Sequence, residues 1–196
     1  MVDLQPTAEL SDIERIAQFI ASGGFEVFVH NRGERGEIEE GLASLGEDAK
    51  DRRYVLQIFF ISDLAEAIGL DQDEDLETAI LQFYMVLPFE IDGTATQEAV
   101  RMAHLVSKVM PVGHVAVDEM QGVFVLSYRL VMPDREPAPE IIQDVVGMIG
   151  FGLAAYGQAL DEAGTGRTTA AEFSAGLATH GFDLIAPGTA ASRGDG

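Results

Sequence analysis

The segment Val123–Met132 is the most regular pattern in the chain, and it limits the folds that the chain can adopt. Apolar side chains recur at every second residue, which is typical of a β-strand with one face in a core. The residues on that face are Phe124, Leu126, Tyr128, Leu130 and Met132. Residues 112–118 are a second extended segment, and residues 119–122 fit a tight turn between the two. The sequence therefore predicts a β-hairpin.

Three capping boxes predict the starts of three helices. In this motif a Ser or Thr and a Glu or Gln three residues later each bond to the backbone N–H of the other. The boxes are at Ser11–Glu14, Thr94–Gln97 and Thr169–Glu172. The first helix is expected to end at the glycine pair 23–24, and the second at Pro111.

Two further strands are predicted before the hairpin. Residues 25–30 alternate between apolar and other side chains, as in a strand with one face inward. Residues 54–61, with the sequence YVLQIFFI, are nearly all apolar and rich in aromatic and β-branched types. That composition favours a central strand covered on both faces.

Negative charge concentrates on either side of residues 54–61. Residues 31–53 are polar, acidic and glycine-rich, and we expect a long loop there. Within it, Ile38, Leu42 and Leu45 are compatible with either a short helical turn or a ragged strand. Acidic residues at 71–75 then favour a helix start. We expect that helix to bury a stripe at residues 76, 80, 83 and 87 and to stop at Pro88.

A long helix is predicted after the hairpin. Pro139 suits its first turn, and Ile142, Val145 and Ile149 recur at helical spacing. Glycines at 147, 150, 152 and 157 weaken a helix unless close packing compensates, so we expect close packing, either within the chain or against a second copy. The predicted organisation is one domain over residues 8–163, followed by a helical extension and a loose tail over residues 164–196.

The charge balance limits the possible partners. The chain has 33 acidic and 12 basic residues, a net charge of −21, and no Lys or Arg between Arg53 and Arg101. Such a surface repels nucleic-acid backbones and anionic membrane surfaces, so neither is expected as a partner. It favours a basic protein partner, or it serves only to maintain solubility. Since no signal peptide or membrane-spanning segment is evident, we expect a cytoplasmic protein.

The motifs for catalysis or metal binding are weak. With no cysteine, disulfides and thiolate zinc sites are excluded. His104, His114 and Asp118 could form a small metal or acid–base site, but no HxH or HExxH spacing supports it, and we expect His114 to bond the backbone near the hairpin. No glycine-rich phosphate loop is present. We therefore expect no catalytic residue, no metal and no cofactor.

Two short motifs are attributed to chance or to local electrostatics. Asp71, Asp73 and Asp75 have the spacing of a calcium loop, but the position that needs glycine holds Leu76. Helix-start charge explains the three carboxylates better. The adhesion-type tripeptide at 193–195 lies in the predicted loose tail.

Several short motifs carry a family resemblance. They are Gly24-Phe25-Glu26-Val27, Leu87-Pro88-Phe89-Glu90, and Met110-Pro111-Val112-Gly113-His114 followed by Tyr128-Arg129. In their order and spacing over residues 10–163, the chain resembles the type III secretion chaperone-like proteins that include the YbjN proteins. The resemblance implies an α+β fold with a twisted antiparallel sheet flanked by helices, often dimeric, that binds peptide segments or proteins without catalysis. The acidic segment before Tyr54 and the C-terminal extension depart from that family.

The resulting hypothesis is a non-enzymatic, chaperone-like module that binds a protein or peptide, with a homodimer as one arrangement. Binding would use strand addition or a groove in the apolar sheet and helix surface. The candidate contact residues are Phe28, Phe59, Phe89, Val125 and Arg129. The alternative is a structural component of a larger assembly. A small hydrolase or metal enzyme ranks last.

Overall fold

The computed structural model describes residues 10–30, 38–69 and 78–179. The elements in chain order are α1 (Asp12–Ser22), β1 (Glu26–His30), β2 (Glu40–Glu47), β3 (Arg53–Phe60), α2 (Ile61–Ala67), β4 (Ala79–Glu90), α3 (Thr96–Val109), β5 (His114–Asp118), β6 (Val123–Met132), α4 (Pro139–Gly164) and α5 (Ala170–Thr179). The six strands form one sheet in the order β1-β2-β3-β4-β6-β5, and every neighbouring pair is antiparallel. The predicted α+β class, the antiparallel sheet and the long helix are confirmed.

The core lies between one face of the sheet and the helices α1, α3 and α4. Each helix buries one stripe, and these stripes meet the inward side chains of the strands in a single cluster. The largest fully buried side chains include Phe60, Phe83, Phe89, Phe124, Ile16 and Ile20. These three helices therefore lie on one side of the sheet and do not cover the opposite face.

The hairpin and two of the three capping boxes are confirmed. β5 pairs with β6 from Asp118↔Val123 onward, and β6 has the predicted bounds. At the start of α1, the N–H of Glu14 donates to Oγ of Ser11 at 3.0 Å, and the N–H of Ser11 donates to Oε2 of Glu14 at 2.8 Å. The same reciprocal pair joins Thr169 and Glu172, and it lowers the pKa of the Glu172 carboxyl.

The third capping box, Thr94–Gln97, is wrong. The N-cap of α3 is Ala95, which makes no side-chain capping bond. The nearby hydroxyl of Thr96 donates to the carbonyl oxygen of Gly93 at 3.1 Å. The turn that precedes α3 is thus closed by a neighbouring residue.

The predicted helix that ends at Pro88 is also wrong, because residues 79–90 form strand β4. The apolar residues of this segment fit both a helical stripe and an alternating strand. In the structure, Leu81, Phe83, Met85, Leu87 and Phe89 all face the core. Pro88 lies within the shift of register between Val86 and Glu90, so its missing N–H interrupts no regular ladder. Residues 71–77, the acidic start of the predicted helix, lie outside the described residues.

The long loop predicted over residues 31–53 contains strand β2, so that prediction is wrong for residues 40–47. Leu42 and Leu45 belong to a strand, one of the two alternatives. The strand escaped recognition because its inward positions are small. Gly41 and Ala43 are buried beneath α1, where a large side chain would hold the helix away from the sheet.

β3 is not covered on both faces as predicted. Tyr54, Leu56, Ile58 and Phe60 are buried against the helices, whereas Val55 on the other face is 41% exposed. The near-continuous apolar run therefore arises because both faces of this strand are apolar. Only one of those faces is covered by the core.

The glycines of α4 divide into two groups. A Cβ added at Gly152 would lie 2.5 Å from the methyl of Met110, and one at Gly157 would lie 2.7 Å from the hydroxyl of Tyr54, so these two pack closely as predicted. At Gly147 and Gly150 no other described atom lies within 4 Å of that position, so close packing within the chain is wrong there. Beyond α4, the extension α5 packs against α3.

Candidate functional site

The face of the sheet opposite α1, α3 and α4 carries a broad apolar surface. Because successive residues of a strand point to opposite faces, the side chains that alternate with the core positions all lie here. We call this surface the open sheet face, formed by Phe28, Leu42, Val55, Phe59, Tyr84, Val86, Val125 and Val131. Phe28 is 70% exposed, Val131 62% and Val86 47%. This surface is thus accessible to a partner.

Strand pairing arranges these side chains in rows. One row runs across five strands through Phe28, Leu42, Gln57, Tyr84 and Ser127. The next row, two residues along each strand, runs through Phe59, Gln82 and Arg129. The open sheet face therefore combines apolar side chains with Gln57 and with a polar group formed by Gln82, Ser127 and Arg129.

That polar group is built around Gln82, which is only 4% exposed. Nε2 of Gln82 donates to Oγ of Ser127 at 2.8 Å and approaches main-chain carbonyl oxygens of β4 and β6. Oε1 of Gln82 accepts a hydrogen bond from Nε of Arg129 at 2.9 Å. The amide of Gln82 is satisfied at both ends, as a buried polar group must be, and it fixes the guanidinium in place.

Gln82 was not among the predicted site residues. The signal that could have identified it is a polar residue in an otherwise apolar segment, at the position that faces Arg129 once both segments are strands. Because the sequence pattern predicts a helix over residues 71–87, it gives no indication that Gln82 faces Arg129.

Four of the five predicted contact residues lie on the open sheet face: Phe28, Phe59, Val125 and Arg129. The fifth, Phe89, is wrong as a surface contact because it is 1% exposed. Its ring packs edge-on against Tyr54 and Phe124, with centroid distances of 6.0 and 6.5 Å. The alternation of β4 turns Phe89 toward the core. The binding role of the other four stays a prediction.

A second group of charged residues surrounds Asp161 near the end of α4. This carboxylate, 5% exposed, accepts hydrogen bonds from Nζ of Lys50 at 2.6 Å, from Arg52 at 2.8 Å and from Arg167 at 2.9 Å. Burial alone would raise the pKa of Asp161, but the bonds and charges of Lys50 and Arg52 outweigh it and lower the pKa. The cations also lie near the C-terminal end of α4, where positive charge is favoured.

This Asp161 cluster connects the β2–β3 turn to α4 beside a cavity of about 470 Å³. Asp48 in the turn accepts from Nε of Arg52 at 2.7 Å, and although burial opposes it, this bond lowers the pKa of Asp48. The guanidinium carbon of Arg52 also lies 4.7 Å from the ring centre of Phe89. Since each cation already contacts a carboxylate, we interpret the cluster as a structural tie.

Another cavity, of about 550 Å³, lies where α1 and α2 approach the segment before α4. Arg135 stacks over the ring of Phe60 at 3.9 Å and pairs with Asp63 at 2.5 Å and with Asp12 at 3.3 Å. The cavity is thus an ion-paired seam between elements. Its acidic lining would repel an anionic ligand.

The residues of the alternative metal site do not form one. Within the described ranges, no three His, Asp or Glu side chains are grouped so as to hold a metal ion. Oδ1 of Asp118 accepts from the N–H groups of Met120 and Gln121 at 3.0 and 3.1 Å, so it closes the hairpin turn. The backbone at Val115 is held by Oγ of Ser107. The expected hydrogen bond from His114 to the backbone stays a prediction.

The other two short motifs cannot be placed. The aspartates 71, 73 and 75 and the tripeptide 193–195 lie outside the described residues. Over the described ranges, none of the helices has the length and apolar character needed to cross a membrane.

No protein-family model matches the chain, and no curated protein matches it. The resemblance to type III secretion chaperone-like proteins therefore stays a prediction.

Proposed function

We propose that this chain is a non-enzymatic module that binds a protein or peptide segment on the open sheet face. The observation that supports the proposal is the exposure of Phe28, Val86 and Val131 on the sheet face opposite the helices. A sheet with apolar side chains on both faces is typically covered on both. Exposed apolar surface is typical of an interaction site.

Binding would act through burial of this surface. Each apolar side chain removed from water contributes about 25 cal/mol per Å² of area, and ordering of the partner offsets part of that gain. Docking on the face uses the exposed side chains directly, whereas strand addition at an edge would leave them uncovered. α3 packs along the edge strand β5, which makes that edge less accessible. The predicted strand addition is therefore the less favoured mode.

The proposed role is chaperone-like in a limited sense: the module shields an apolar segment of its partner from water. Its net charge of −21 disfavours binding to nucleic acid. We place this role in the cytoplasm, in keeping with the sequence expectation.

The test compares two phenylalanines of similar exposure. Phe28 lies on the open sheet face, and Phe151, which is 65% exposed, lies on the outer side of α4. Random peptides of about 16 residues, long enough as a helix to cross the sheet, are displayed on phage and selected on the wild-type chain. The selected peptides are then synthesised and titrated against wild type, Phe28→Asp and Phe151→Asp, with folding checked by circular dichroism.

We expect Phe28→Asp to weaken binding of the selected peptides by about tenfold or more, because a buried carboxylate opposes docking. Phe151→Asp should bind them like wild type. Equal losses in both variants, or a failure to select any peptide that depends on Phe28, would overturn the proposal.

A second candidate function, a structural component of a larger assembly, is favoured by a different surface. The outer side of α4 exposes Ile141, Met148 and Phe151, and it has open space at Gly147. A helix from a second copy could approach closely there. Sedimentation equilibrium over a range of concentrations tests this: assembly that disappears in Phe151→Asp but persists in Phe28→Asp supports it, and a monomer at every concentration rejects it.

A further inference from the structure

Arg129 differs from the other arginines of the described chain in lacking a carboxylate partner. In the described ranges, every other arginine has an Asp or Glu oxygen within 4.0 Å. These arginines are Arg15, Arg52, Arg53, Arg101, Arg135 and Arg167. The chain has 33 acidic residues and only 12 basic ones, so carboxylates are abundant. An arginine without one is therefore a notable exception here.

The guanidinium of Arg129 is nevertheless held in place. Its Nε donates to Oε1 of Gln82, which is itself fixed by Ser127 and by the backbone of the sheet. The bond from Nε to Gln82 uses one edge of the guanidinium. The two terminal nitrogens make no hydrogen bond within the described residues. A guanidinium offers two parallel N–H groups to a carboxylate, and little ordering remains to be lost when it is held beforehand.

Apolar side chains lie near the Gln82–Arg129 pair on the open sheet face. Phe59 flanks Gln82 on the other side of the same row, and Val131 follows two residues along β6. A partner that covered Phe59 and Val131 would also remove water from Arg129. A desolvated cation without a partner is costly, whereas a charge pair in the same place is strengthened by the lower dielectric constant.

We infer that the partner segment bound on the open sheet face is amphipathic, with apolar side chains and one carboxylate that pairs with the terminal nitrogens of Arg129. This inference rests on the proposed function and specifies its partner. Five strand spacings of about 4.8 Å give a width near 24 Å, which a helix of about 16 residues spans. Because β6 lies next to the edge strand β5, the carboxylate would lie toward one end of such a helix. An acidic contact there contrasts with the basic partner predicted from net charge. Basic side chains of the partner fit the acidic surroundings outside this face.

The experiment selects random peptides of about 16 residues in parallel on wild type and on Arg129→Glu. We expect the wild-type pool to be enriched in Asp or Glu among apolar residues, and the Arg129→Glu pool to be enriched in Lys or Arg instead. For individual wild-type peptides, replacing the acid by its amide should weaken binding about tenfold or more, as should Arg129→Gln. The two changes together should weaken binding little more than either change alone, since both remove the same pair between Arg129 and the peptide carboxylate.

Arg129→Lys serves as the matched variant, because it keeps the charge but loses the planar fork and the bond to Gln82. We expect binding between that of wild type and Arg129→Gln. Two results separate the inference from the function on which it rests. Peptides that lose affinity in Phe28→Asp but tolerate Arg129→Gln would overturn the carboxylate partner and leave the binding function intact. Peptides that ignore Phe28→Asp would overturn both.

Discussion

The carboxylate of Asp161 in α4 accepts a 2.6 Å hydrogen bond from Nζ of Lys50, 111 residues earlier in the chain. Arg52 and Arg167 complete the arrangement around the same carboxylate. This contact ties the β2–β3 turn to the end of the longest helix. The turn and the helix are far apart in the sequence, so the Asp161 cluster stabilises a tertiary contact between them.

Asp161→Asn should destabilise the fold by about 1 to 3 kcal/mol. The substitution removes the charge that compensates three cations, although their partial exposure lets water replace some of the loss. Urea unfolding at neutral pH measures the effect. The matched control is Glu47→Gln, whose partner Arg53 is 72% exposed, and there the loss should stay below about 1 kcal/mol. Equal losses would contradict a structural role for the Asp161 cluster.

The contribution of Asp161 should depend on pH. Its folded pKa lies below the ordinary value of 3.8, so the carboxylate stabilises the folded state above that pH, and the stabilisation is lost as pH falls through the folded pKa. The difference in unfolding free energy between wild type and Asp161→Asn should therefore be largest near neutral pH and shrink below pH about 4. Urea titrations at a series of pH values measure it. A difference that widens at low pH would show that the sign is wrong.

Gly164→Ala should destabilise the fold by about 1 to 3 kcal/mol, because its Cβ would lie 2.9 Å from the backbone oxygen of Glu90. That oxygen belongs to the sheet and cannot move as a flexible side chain can. Gly147→Ala in the same helix meets no described atom within 4 Å and should stabilise by up to about 1 kcal/mol. Thermal unfolding of the two variants compares them directly. Destabilisation by both substitutions would indicate that contact of the added Cβ with the sheet is not the cause of the loss at Gly164.

Phe89→Ala should cost about 3 to 5 kcal/mol, as expected for removal of a fully buried ring. Phe28→Ala, on the open sheet face, should change stability by less than about 0.5 kcal/mol. Denaturant unfolding of both variants measures the difference. A small effect at Phe89 would restore it as a contact residue, contrary to its placement in the core.

The sequence pattern was sufficient where one local rule acts alone. The alternation in β6 is compatible with a strand and with no helix, and the capping bonds of the Ser11–Glu14 box join residues only three positions apart. Both were therefore predictable. In β4 the apolar residues satisfy two periods at once, since positions 76, 80, 83 and 87 fit a helix and Leu81, Phe83 and Met85 fit a strand. Pairing with β3 and β6 on either side decides in favour of the strand.

By itself, the sequence determined the α+β class, the hairpin, the long helix and four outward-facing residues of the candidate site. The periodicity of apolar residues indicates which side of a helix or strand is apolar, and it can be read from residues that are close together in the sequence. The tertiary structure alone decided what covers each side. It turned Phe89 inward, placed Gln82 against Arg129 from 47 residues away, and gathered three cations around Asp161. Those contacts depend on distances between segments far apart in the chain, which no local pattern encodes.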